Sequence, residues 1–109
     1  MIKSLLIKKS DKPDKKYMAI FLVNNEKVRT IHFGSKGMRD FTLINDKSSK
    51  WYLPKVLDRN VVKDSYLRRH EKNEDWNNPL TAGALSRWIL WDKKTLDSSI
   101  KAFKKRFKL

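Results

Sequence analysis

The chain has 109 residues, with 26 Lys and Arg against 12 Asp and Glu, a formal charge of +14 and an isoelectric point near 10.2. Four Trp, five Phe, three Tyr and a hydrophobic share of 39% supply a core, which excludes a disordered basic tail. The absence of cysteine excludes disulfides, zinc fingers and thiol chemistry, and no apolar run approaches the length of a membrane span.

At 13.0 kDa the chain reads as a single basic domain over residues 1–109. Residues 2–7 form a short strand, and the apolar stretch at the N-terminus is cut off by Lys8 and Lys9, too short for a signal peptide. Residues 10–16 are polar, contain Pro13 and read as a loop. Residues 17–23 are apolar on both alternating sets and predict a central strand. Asn24-Asn25-Glu26 suits a hairpin turn because Asn tolerates positive φ. A third strand follows over 27–33. Gly34 and Gly37 bracket a tight turn, and residues 41–44 predict a short fourth strand, completing an antiparallel meander.

In the second half the period changes. After a polar loop over 45–50, Trp51-Tyr52-Leu53-Pro54 is expected to pack back onto the sheet. Asn60 is a candidate cap for a helix running through Tyr66 and Leu67 to about Lys72. Asn77-Asn78-Pro79 breaks the chain before a second helix over about 81–91. There Ala82, Gly83 and Ala84 permit close approach of a neighbour, and Leu85, Trp88, Ile89 and Trp91 argue burial. Thr95 caps a last helix whose apolar stripe is Leu96, Ile100, Phe103 and Phe107. The fold class is α+β: a small antiparallel sheet of three to four strands packed against two to three C-terminal helices.

A surplus of positive charge this large opposes compaction and suits a polyanionic partner. Lys101, Lys104, Lys105, Arg106 and Lys108 fill the polar side of the last helix, and residues 98–109 contain no acid. Cations near a helix C-terminus also complement its dipole, but a solvated face ordinarily mixes signs. The reading preferred is a phosphate-facing ridge. Lys36 and Arg39 join it from the glycine turn; the spacing there fits a plain turn better than an anion-binding nest. Arg68, Arg69 and His70 are followed by Glu71, Glu74 and Asp75, which can pair with them internally. Arg87, among aromatics, is expected to be structural. Trp51 and Tyr52, in a loop, are the candidate base-stacking residues, the other tryptophans being needed for the core.

Catalysis has little support. His32 and His70 lack metal-ligand spacing, and Glu26, Asp40, Asp46 and Glu71 are scattered. The expectation is no enzyme, no metal and no cofactor.

The segments 16–23, His32-Phe33-Gly34, Lys36-Gly37 with Asp40-Phe41-Thr42, Tyr66-Leu67-Arg68-Arg69-His70, Asp75-Trp76-Asn77-Asn78-Pro79 and residues 81–91 resemble a family of small basic proteins of giant double-stranded DNA viruses, the mimivirus and phycodnavirus group. The resemblance spans about residues 15–109. It implies a viral protein located in the virion or inside the host, in the viral factory, cytoplasm or nucleus, and transfers no catalytic residue. In layout the chain is also similar to WGR domains, DNA-binding modules of poly(ADP-ribose) polymerases, with His32-Phe33-Gly34 standing where the Trp-Gly-Arg motif would be.

The function expected is sequence-nonspecific binding of nucleic acid, DNA ahead of RNA, in an architectural or genome-packaging role and without a membrane. The alternative is a virion assembly protein docking on an acidic capsid or scaffold surface.

Overall fold

Three strands, β1 (Ser4–Lys9), β2 (Lys15–Val23) and β3 (Glu26–Ser35), pair antiparallel in the order β1-β2-β3. The structure is a computed structural model and describes residues 2–109. Asn24 and Asn25 both take left-handed φ, 52° and 66°, the geometry whose twist matches the flanking strands. The register places Leu5 beside Phe21, Ile7 beside Ala19 and Tyr17 beside Phe33 on one face of the sheet. A bulge between Phe21 and Leu22 accommodates one extra residue of β3.

The central strand is apolar on both sides, but helices cover only one. The inner face sets Phe21 and Phe33, both fully buried, against Leu85, Ile89 and Leu90. The outer face carries Leu6, Ile20 and Met18; Leu6 is 46% exposed, whereas Ile20, at the centre, is 3% exposed though outside the main core cluster.

The expected fourth strand is a turn of helix, α1 (Phe41–Ile44). Phe41 and Ile44 suggest a strand by propensity, but Asp40 decides otherwise. Its Oδ1 accepts hydrogen bonds from the Leu43 backbone N–H (3.1 Å) and from Thr42 Oγ1 (2.6 Å), capping the turn. Three residues apart, Phe41 and Ile44 then share one buried face, which a strand would have split between two.

Helix α2 (Val56–Glu71) begins four residues before Asn60, directly after Pro54 and Lys55, and has no side-chain cap. Asn60 is therefore an interior residue, not the cap. Thr81 caps α3 (Ala82–Leu85), its Oγ1 accepting from the Ala84 N–H at 3.2 Å. The helix then widens into a π-helical turn, Ser86–Leu90, before it stops at Trp91. The small residues do allow close approach: a Cβ on Gly83 would lie 2.8 Å from Glu74 Cδ. Helix α4 (Leu96–Phe107) starts at the Thr95 cap and ends with Lys108 in the left-handed region. Its stripe of Leu96, Ile100, Phe103 and Phe107 packs on the common core.

Candidate nucleic-acid interface

On α4 the buried positions Ser99 and Phe103 define one side, and one helical repeat sets Lys101 and Lys105 on the opposite side, with Lys108 following at the left-handed C-cap. All three are exposed. Lys101 and Lys105 stand about one turn apart, about 6 Å along the axis. None of the four ion pairs among the described residues involves a residue of α4. Lys104 is half-buried at the margin of this pair. Arg106 has a different attachment: its guanidinium carbon lies 3.6 Å from the centroid of the Trp88 ring.

Arg87 is held inside the fold, as its aromatic neighbours suggest. Its guanidinium carbon sits 4.1 Å from the Trp88 centroid and 5.3 Å from that of Trp76. Nη1 donates to the Trp91 carbonyl at 3.2 Å and lies 3.8 Å from Asp92 Oδ1, while Nε has no partner. Burial lowers the Arg87 pKa, and the Asp92 carboxylate opposes that shift.

The glycine turn leads into a helix rather than back into the sheet. Gly34 and Gly37 have φ of 79° and 85°, and the Met38 N–H closes the turn on the Ser35 carbonyl at 3.3 Å. Both glycines are thus explained by backbone geometry. Lys36 and Arg39 are exposed on this segment. Trp51 is half-buried against the core, with Lys50 Nζ 5.1 Å from its ring centroid, and Tyr52 is half-buried beside it.

A cleft of about 580 Å³ opens between the end of β3, α2 and the π-helical turn. At its edge, Lys16 Nζ donates at 2.6 Å both to Asp40 Oδ2 and to the Met38 carbonyl. This ion pair is nearly closed to solvent and ties β2 to α1. Across the cleft, His70 Nδ1 lies 2.9 Å from Glu74 Oε2; a carboxylate only accepts, so Nδ1 carries the proton. The other Glu74 oxygen accepts from Trp76 Nε1 at 2.9 Å. Of the acids after Arg69, Glu74 thus engages the histidine and a tryptophan, whereas Arg68 and Arg69 form no ion pair among the described residues. Tyr66 stacks between His70 and Trp91, 4.2 Å from each centroid. Burial pushes its phenol pKa up, with a further contribution from the Glu74 charge.

Both acids lining the cleft are therefore committed. Lys15, Arg39 and Arg69, which also line it, have no carboxylate partner among the described residues. The Ser65 and Ser86 hydroxyls line it too and make no side-chain hydrogen bond among the described residues. Lys15 and Arg69 escape recognition in the sequence because β2 and α2 meet only in the fold.

A family of unknown function (DUF5754) matches residues 5–51, less than half of the chain. The match covers the sheet, the glycine turn and α1, and leaves out α2, the π-helical turn and α4. No curated protein and no solved structure matches the chain. Among the described residues, no helix is long and apolar enough to cross a membrane, and no group of His, Asp and Glu has the geometry to hold a metal ion.

Proposed function

We propose that the protein binds nucleic acid without sequence specificity, through phosphate contacts, in an architectural or genome-packaging role in a large DNA virus. The observation that carries this reading is the exposed pair Lys101 and Lys105 on one side of α4, with exposed Lys108 at its C-cap and none of the three ion-paired among the described residues, in a chain of charge +14. Lys104 flanks the pair, and Lys36 and Arg39 add two further exposed cations. Contacts of this kind fix position on a duplex without reading bases. Arg106 contributes mainly by bracing Trp88. The viral setting comes from the sequence resemblance.

Fluorescence anisotropy with labelled duplex DNA, single-stranded DNA and RNA tests the proposal. Binding to several unrelated sequences with similar affinity supports it. Charge reversal at Lys101, Lys105 and Lys108 should abolish that binding, and full retention of affinity by the folded variant would refute the assignment.

The alternative, a virion assembly protein that docks on an acidic surface, draws on one observation of its own. The uncovered face of the sheet presents Leu6 with Lys8 two positions along β1, and Lys27 on the same face two strands away. An apolar anchor with a basic rim suits an acidic protein partner. Protein purified with nuclease in high salt that then ignores DNA but sediments with capsids would favour this reading.

A further inference from the structure

Three unsatisfied features converge in the cleft between β3, α2 and the π-helical turn. The first is charge. Lys15, Lys16, Arg39 and Arg69 face only Asp40 and Glu74, and those carboxylates are engaged by Lys16 and by His70 with Trp76. The remaining field is positive and suits an anion. The second is apolar surface: Met38 and Val61 line the cleft and are 61% and 56% exposed. The third is unspent hydrogen-bonding capacity in the Ser65 and Ser86 hydroxyls. Ser86 opens the π-helical turn, an irregularity that recurs at functional sites. The volume lies within the range of small-ligand pockets.

We propose that this cleft binds a nucleoside phosphate, with the base against Met38 and Val61, its polar edge on the Ser65 and Ser86 hydroxyls, and the phosphate held by Arg39, Arg69 and Lys15. A ligand carrying only the anion would leave the apolar wall wet, and one carrying only the base would leave the guanidiniums without a partner. The moiety can come from a free mononucleotide or from the phosphorylated end of a strand. This site goes beyond the α4 ridge and uses none of its lysines, sharing only Arg39 with the proposed duplex contacts.

The test is titration of the full-length protein with adenosine 5′-monophosphate, adenosine and inorganic phosphate, followed by amide chemical shifts and tryptophan fluorescence. The nucleotide should bind, with each fragment weaker by about tenfold or more. Arg69→Ala and Arg39→Ala, both at exposed positions, should each weaken nucleotide binding by about tenfold and leave the fold intact by circular dichroism. Reversal of Lys101, Lys105 and Lys108 should leave it unchanged, so failure of the ridge and failure of the cleft read out separately. Competition by a 5′-phosphorylated oligonucleotide, but not its 5′-hydroxyl counterpart, identifies the strand end as the source; absence of competition identifies the free nucleotide. No binding at about 1 mM nucleotide, inorganic phosphate binding as tightly as the nucleotide, or affinity indifferent to both arginine variants would overturn the proposal.

Discussion

The Tyr66 ring lies flat on Trp91, with 4.2 Å between centroids and 7° between planes. This contact joins α2 to the end of the π-helical turn, and no other α2 residue is fully buried. Helix α2 is otherwise weakly amphipathic, so Tyr66 is its main anchor. Tyr66→Ala should cost about 3–5 kcal/mol in urea unfolding. A loss well under 1 kcal/mol would show that α2 is held by other contacts.

The Lys16–Asp40 pair is a second structural joint. Asp40 caps α1 and closes the ion pair with its other oxygen, so removing it leaves the largely buried Lys16 ammonium with only the Met38 carbonyl as partner. Asp40→Ala should destabilise by about 3–5 kcal/mol. In a double-mutant cycle with Lys16→Met, the combined loss should fall short of the sum of the single losses, because the second change removes the stranded charge. Strict additivity would contradict the coupling.

The Arg106–Trp88 contact separates neighbours on α4. Arg106→Ala should lower stability by about 0.5–2 kcal/mol through its lost contact with Trp88. Lys105→Ala should stay within about 0.5 kcal/mol of wild type. Thermal unfolding of the two variants distinguishes them, and equal losses would remove the distinction between bracing and ligand-facing positions.

Alkaline pH should weaken the fold through its buried phenols. Tyr66 and Tyr17 both have pKa values raised above the ordinary 10.0, each chiefly by burial. Above pH ~10 the unfolded chain releases protons that the folded chain retains, so stability falls as pH rises. The contribution is complete below that pH and is lost above it. Lys63 and Arg87 are shifted in the opposite direction, so the informative quantity is the difference between wild type and Tyr66→Phe. Urea titrations from pH 9 to 11 should show a shallower alkaline loss in the variant; parallel curves would contradict the assignment.

The sheet was largely legible in the sequence. The alternation in 17–23, the Asn24-Asn25 turn and the stripe of α4 each combine a local pattern with the matching tertiary environment. Residues 41–44 misled because strand propensity there competes with an Asp cap, and the cap is reinforced by Lys16, 24 positions away. The start of α2 was hidden because no capping side chain marks it. The fate of Arg106 was equally hidden: helix periodicity sets it on the flank, but only the packing of α4 against the π-helical turn brings Trp88 beneath it. The cleft draws on β2, the glycine turn, α2 and the π-helical turn, and its composition exists only once those segments meet.

The central claim, phosphate recognition by the α4 lysines, is tested most directly by the salt dependence of DNA affinity. Each lysine that neutralises a phosphate contributes about −0.9 to the slope of log Kobs against log salt concentration. Replacing Lys101, Lys105 and Lys108 together by Ala should therefore flatten the slope by about 2 to 3 while duplex sequence remains irrelevant. An unchanged slope in the folded triple variant would contradict the account.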